Sequence, residues 1–167
     1  MTRIAYCLRS TDPDLECPTG SSAQLGYGQA RPVTIDYAAG TLTLETAGSL
    51  KAQTVDMRKI PQKVSRKMGG DSVEAFTQIM SHPEPLWFYM DSANLRGILA
   101  APHAAEVMNL GPDGGPINLE IGRVAYQRNA EVAKIIYDGV LDVTFFLDHV
   151  ITLDLVNERA WIRKNAG

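Results

Sequence analysis

A short uncharged run that ends in a carboxylate limits the fold of this chain more than any other feature. Residues 86–90 read LWFYM, and Asp91 follows at once. A short run of aromatic and apolar residues, without the alternation of a half-exposed strand, is typical of a strand that is buried on both faces. The sequence therefore predicts a core strand whose end presents a carboxylate.

Alternating apolar and polar residues predict further strands on either side of this run. Residues 33–45, VTIDYAAGTLTLE, form two alternating segments joined by Ala-Ala-Gly, which is the pattern of a β-hairpin. Residues 73–80 fit a helical face or a strand, and we prefer a strand that leads into the LWFYM run. The segments from 117 onward return to β patterning and end in a hairpin around 156–159.

A single helix interrupts this pattern. In ILAAPHAAEVMNLG, Pro102 suits a first helical turn, good helix formers follow, and Gly111 suits a position after the last turn. The sequence therefore predicts a mainly β protein with one short helix near residues 102–109.

Composition excludes several functions. The chain has 167 residues and a net charge of −3, with 16 Lys and Arg against 19 Asp and Glu and no basic block. It lacks the cationic footprint of a nucleic-acid-binding protein. No apolar run approaches the roughly 20 residues that cross a bilayer, so we expect no membrane partner.

Signatures of metal and cofactor sites are missing as well. His82, His103 and His149 are scattered rather than paired on a helix, and no phosphate-binding glycine loop follows a predicted strand. We therefore expect no metal and no cofactor.

Cys7 and Cys17 enclose a loop-forming segment, LRSTDPDLE, and their spacing does not fit a zinc knuckle. They form either a disulfide or two unrelated thiols of a reduced protein. A disulfide would favour a periplasmic or secreted location over the cytoplasm, although the first ten residues lack the apolar stretch of a signal peptide.

Three pieces of the chain follow one another in a suggestive order: PLWFYMDSAN at 85–94, the short helix, and DGVLDVTFFLDHVITLDL at 138–155. This order resembles the retropepsin-like aspartic proteases. In that family an apolar strand runs into Asp-Thr/Ser-Gly, and a later Asp-Gly-Ile-Leu-Gly segment leads into a closing hairpin. The resemblance covers residues 81–164, about half of the chain.

The resemblance implies a closed barrel lobe over residues 61–167. The hairpin at 33–45 is similar to the closing hairpin of another such lobe, so we expect residues 1–60 to be the edge or remnant of that lobe. In the family, two nearby aspartates share one proton and activate a water that attacks the peptide bond. Because this chain has one convincing copy of the motif, the resemblance implies a homodimer or a partner lobe that supplies the second aspartate.

The same resemblance implies the site residues. Asp91 takes the place of the catalytic carboxylate. The active-site loop corresponds to Ser92, Ala93 and Asn94, and the apolar segment packed beside it corresponds to Gly139, Val140 and Leu141.

Departures from the family keep a second function open. Ala93 and Asp142 stand where the family has glycine, and LGPDGGP at 110–116 occupies the place of the flap that covers the substrate. One hypothesis is an aspartic endopeptidase that acts on polypeptides. The alternative is a catalytically impaired lobe that binds a peptide or assembles with a partner. A third hypothesis, a β-rich module with an accidental motif, rests on the lack of a complete match in residues 1–60.

Overall fold

The computed structural model describes residues 3–5, 31–67, 72–80 and 84–165. Strands are its main elements, so the prediction of a mainly β protein is confirmed. The strands are β1 (Arg3–Ala5), β2 (Val33–Asp36), β3 (Thr41–Leu44), β4 (Arg58–Lys67), β5 (Ser72–Ile79), β6 (Leu86–Met90), β7 (Ile98–Ala100), β8 (Gly115–Ile121), β9 (Val124–Val132), β10 (Gly139–Leu141), β11 (His149–Asp154) and β12 (Arg159–Lys164). The helices are α1 (Ala47–Gln53), α2 (Pro102–Val107) and α3 (Val143–Asp148).

The strands form one open mixed sheet in the order β1-β3-β2-β11-β12-β4-β5-β6-β10-β7-β9-β8. The predicted closed barrel is therefore wrong. The sheet curls until β8 approaches β5, where the Met80 N–H donates to the Glu120 carbonyl at 2.9 Å. No strand ladder joins β8 to β5 among the described residues, and without a ladder the sheet keeps two edges.

Local sequence patterns identified many of these elements. The hairpin at 33–45 is β2–β3, the strand at 73–80 is β5, and the helix beginning at Pro102 is α2. The prediction of a single helix is wrong, because α1 and α3 are also present. Helix α3 lies in the segment DVTFFLD, for which the sequence predicted no helix; its aromatic and β-branched side chains favour strands.

Strand β2 joins the early hairpin to the rest of the sheet. It pairs antiparallel with β11, with Ile35 opposite Ile151. The Thr34 and Thr152 hydroxyls share a buried hydrogen bond of 2.9 Å across this pairing. The assignment of residues 1–60 to the edge or remnant of another lobe stays a prediction.

Two other findings concern membrane spans and the cysteines. Within the described ranges, no helix is long and apolar enough to cross a bilayer. Cys7 and Cys17, and with them the proposed disulfide, lie outside the described residues.

Phe88 and Gly139 meet at the centre of the core. The Phe88 side chain is fully buried, and Phe88 pairs with Gly139 across parallel strands β6 and β10. A Cβ at position 139 would lie 2.4 Å from the Phe88 ring. Glycine at this position therefore allows the ring to pack against the backbone of β10.

We predict that Gly139→Ala destabilises the protein by about 1–3 kcal/mol, because the added methyl group overpacks the Phe88 contact. The measurement is the free energy of unfolding in urea. Gly48→Ala is the matched control, since a Cβ there meets its nearest neighbouring atom at 4.0 Å, inside α1. The control should leave stability unchanged or raise it by about 0.5–1 kcal/mol. Equal stability of the two variants would contradict the prediction.

Candidate functional site

Asp91 lies in a tight turn directly after β6. Its Oδ1 accepts a hydrogen bond from the Ala93 N–H at 2.9 Å, and its carbonyl oxygen accepts one from the Asn94 N–H at 3.2 Å. This is the Asx arrangement in which an aspartate braces its own backbone. Asp91 and Ser92 are partly exposed and Ala93 is exposed, so the turn reaches the surface.

Asn94 connects the turn to two other segments. Its Nδ2 donates to the Gly97 carbonyl at 2.8 Å, and its Oδ1 accepts from the Arg96 N–H at 3.0 Å. Its carbonyl accepts from the Val143 N–H at 2.9 Å, at the start of α3. The first two hydrogen bonds brace the loop after Asp91, and the third holds it against the beginning of α3.

The structure brings the two predicted site segments side by side. Strand β10 runs parallel to β6, with Val140 opposite Tyr89 and Leu141 opposite Met90. Both strands then end at the same edge of the sheet. Asp142 follows Leu141 as Asp91 follows Met90, so two carboxylates leave neighbouring strands in the same direction.

Asp142 differs from Asp91 in burial and in partners. It is 4% exposed and is the N-cap of α3, where its Oδ1 accepts from the Phe145 N–H at 3.3 Å. The Tyr126 hydroxyl donates to the same oxygen at 3.1 Å, and the Thr144 hydroxyl lies 2.8 Å from both carboxylate oxygens. Within the described residues, no hydrogen bond joins Asp91 to Asp142 or to another carboxylate. Asp142 is therefore bound in a structural network rather than in an aspartate pair.

This arrangement has a signal in the sequence. An aspartate just before a run that turns helical is a typical N-cap, and Asp142-Val-Thr-Phe fits that pattern. The sequence suggested instead a replacement for a family glycine or a solvated loop charge, and the solvated position is wrong because Asp142 is buried.

We predict that Asp142→Ala lowers the free energy of unfolding by about 1–3 kcal/mol, because α3 loses its N-cap and the Tyr126 hydroxyl loses a buried acceptor. Asp36→Ala is the control. The Asp36 carboxylate also accepts a backbone hydrogen bond, from Ala39 at 3.0 Å, but it lies nearer the surface. The control should cost less than about 1 kcal/mol. If Asp36→Ala lowered the free energy of unfolding more than Asp142→Ala does, the assigned role of Asp142 would be contradicted.

His149 lies in the core beside this network. It is 2% exposed, and its ring contacts the rings of Tyr126 and Phe145. Its Nδ1 lies 2.8 Å from the Phe145 carbonyl, which can only accept, so Nδ1 carries the proton. Burial lowers the pKa of His149 below its ordinary value, and the hydrogen bond to Phe145 opposes this shift in part. Burial also raises the pKa of Tyr126 well above its ordinary value.

We predict that protein stability falls as the pH is lowered from about 7 to about 5. The unfolded chain protonates His149 near pH 6.5, whereas the folded protein takes up that proton only at lower pH, so acid favours the unfolded state by up to about 1.4 kcal/mol per pH unit. The measurement is the free energy of unfolding against pH for wild type and His149→Gln. The difference in free energy of unfolding between wild type and His149→Gln should shrink toward acid pH. A constant difference would show that His149 does not cause the loss of stability.

A cavity of about 270 Å³ separates the Asp91 turn from the β2–β3 hairpin. Ser92 lines one side, and the hairpin provides the rest of the wall: Ile35, Asp36, Tyr37, Gly40, Thr41 and Leu42. Most of the exposed lining is apolar, with Asp36 and Ser92 as polar groups. The sequence predicts both the turn and the hairpin, but it does not predict that they pack on opposite sides of one cavity.

Metal binding has no visible support in the site. Within residues 3–5, 31–67, 72–80 and 84–165, no three His, Cys, Asp or Glu side chains are grouped in a way that could hold a metal ion.

Comparison with known proteins finds similarity only at the level of structure. No family model matches the chain, and no curated protein matches its sequence. The structure is similar to basic 7S globulin from soybean, with a TM-score of 0.52, 9% identity, and coverage of 84% of this chain and 52% of that chain. It is also similar to conglutin gamma, a basic 7S globulin from lupine seeds, with a TM-score of 0.53, 11% identity and the same coverages.

These similarities show the fold alone, and the chain spans about half the length of both proteins. They correct the family suggested by the sequence. The structural neighbours are basic 7S globulins rather than retropepsin-like proteases, so the retropepsin-like assignment is wrong.

Proposed function

We propose that this chain is a catalytically impaired lobe of aspartic-protease-like fold that binds an extended peptide segment. The observation that carries the proposal is the difference between the two carboxylates at the ends of β6 and β10. Aspartic peptidases need two aspartates that share a proton. Asp142 caps α3 and binds Tyr126 and Thr144, so it does not pair with Asp91, and a second aspartate would have to come from a partner lobe or a second copy. Asp91 is left in an Asx turn that presents Ser92 to the cleft.

The structural neighbours favour the same proposal. Both are named as globulins, and neither name assigns a peptidase activity. This chain covers only 52% of each of their chains, and we infer that a second lobe or a second copy completes the assembly. Association with such a partner is part of the proposal.

The cleft at Ser92 suits part of a peptide. Its volume of about 270 Å³ lies just below the roughly 300–1,000 Å³ of small-molecule pockets, so it has room for one or two side chains of a longer ligand. Ile35 and Leu42 offer apolar contacts. The Asp36 carboxylate and the Ser92 hydroxyl offer hydrogen bonds that would orient the ligand's backbone.

The test is binding of a fluorescent library of short peptides, read by polarisation, with cleavage followed by mass spectrometry between about pH 3 and pH 7. We expect binding without cleavage. Ser92→Phe fills the cleft and should weaken binding roughly tenfold. Leu95→Phe adds a ring in the same loop, where Leu95 is 81% exposed, and should leave binding unchanged.

Two results would contradict the proposal. One is equal binding of the peptides by wild type and Ser92→Phe, which would show that the ligand does not bind in this cleft. The other is cleavage by wild type that disappears in Asp91→Asn, which would establish the aspartic endopeptidase instead.

A further inference from the structure

A second candidate surface lies along strand β4 and shares no lining residue with the cleft at Ser92. Two grooves of about 420 and 340 Å³ follow each other along this strand. Lys59 and Pro61 line the first groove, and Lys63 and Ser65 line the second. At about 3.3 Å per residue, the stretch from Lys59 to Ser65 spans roughly 20 Å, the length of a short extended peptide.

The first groove is cationic. Arg58, Lys59 and Arg123 line it, all three are exposed, and none of them forms an ion pair with a described residue. Glu120 is the acidic residue of its lining. An anionic ligand would therefore meet an excess of positive charge.

The backbone holds this cationic cluster in place. Arg123 follows Gly122 in the turn between β8 and β9, and a Cβ on Gly122 would lie 2.3 Å from Cγ2 of Ile60. The turn therefore packs directly against β4. The backbone of Arg123 is therefore held beside Arg58 and Lys59, which form the same groove.

The second groove is aromatic. Phe76 and Trp87 line it, and the Nζ of Lys63 lies 3.9 Å from the centre of the Trp87 ring. Phe76 and Tyr137 pack edge to face with ring centres 5.3 Å apart, and Ile136 at the rim is 85% exposed. Rigid aromatic walls of this kind bind prolyl and aromatic side chains of extended peptides.

We propose that the two grooves along β4 together bind an extended acidic peptide. Its carboxylates lie against Arg58, Lys59 and Arg123, and an aromatic or prolyl residue lies against Phe76 and Trp87. The charge arrangement favours a peptide over single-stranded nucleic acid, because a continuous phosphate backbone would carry its charge into the second groove and face the Asp138 carboxylate there, whereas the peptide places an uncharged residue in that groove. This surface is independent of the proposed function at the Ser92 cleft.

The experiment uses the full chain and a fluorescein-labelled peptide that has a run of glutamates at one end and a Phe-Pro pair at the other. The companion probes are the same peptide with glutamines for glutamates, a scrambled peptide, and a short oligothymidylate. Polarisation measures binding, and circular dichroism checks that each variant is folded.

We expect Lys59→Glu to weaken binding of the acidic peptide about tenfold and to reduce the effect of added salt. Trp87→Ala should weaken binding by a similar factor, and Trp87→Phe, which keeps a ring, should retain much of it. The Phe variant keeps the test decisive if the Ala variant does not fold. Lys51→Glu on the exposed face of α1 is the matched charge control and should bind like wild type.

The proposal would be overturned by equal binding of the acidic, glutamine and scrambled peptides, or by tighter binding of the oligothymidylate. Loss of binding in Ser92→Phe would overturn it as well, because it would place the acidic peptide in the other cleft. Unchanged binding of the acidic peptide by Ser92→Phe supports two separate surfaces, whether or not the peptide library binds in the Ser92 cleft.

Discussion

The contact between the Phe88 ring and the backbone of Gly139 controls how closely β6 and β10 approach, and the geometry around Asp91 depends on it. A side chain at position 139 would collide with the ring. With glycine there, the strands pair in parallel from Gly139 to Leu141 and end together. This pairing brings Asp91 and the start of α3 to one edge of the sheet, where Asn94 joins them through the Val143 N–H.

The two carboxylates at that edge differ because their surroundings differ. Asp142 is buried, and a buried carboxylate needs hydrogen-bond donors, which the α3 N-terminus, Tyr126 and Thr144 supply. Asp91 stays near the surface and is held by two backbone hydrogen bonds within its own turn. Proton sharing requires two carboxylates facing each other. The arrangement within this chain is therefore better suited to shaping a turn beside a cleft than to activating water.

The two proposed binding surfaces lie in different parts of the open sheet. Strand β8 returns to β5 through the Met80–Glu120 hydrogen bond without forming a ladder, and the β8–β9 turn packs against β4 instead. That turn places Arg123 over one end of β4, while Trp87 and Phe76 lie toward the other. The Ser92 cleft is formed separately, where the β2–β3 hairpin meets the Asp91 turn.

Local sequence patterns are enough to predict the hairpin at 33–45, a strand before Asp91 and the helix that begins at Pro102. The prediction that this strand is buried on both faces is wrong, because Trp87 and Tyr89 are partly exposed. Alternation, turn residues and an N-terminal proline act over a few residues, so their effects can be predicted without the fold. Helix α3 was not predicted, because its residues favour strands and only Asp142, as an N-cap, indicates a helix. The burial of Asp142, the open edges of the sheet and the position of the hairpin opposite Ser92 follow from long-range packing. Each of these outcomes depends on pairing between residues far apart in the chain, which local patterns do not encode.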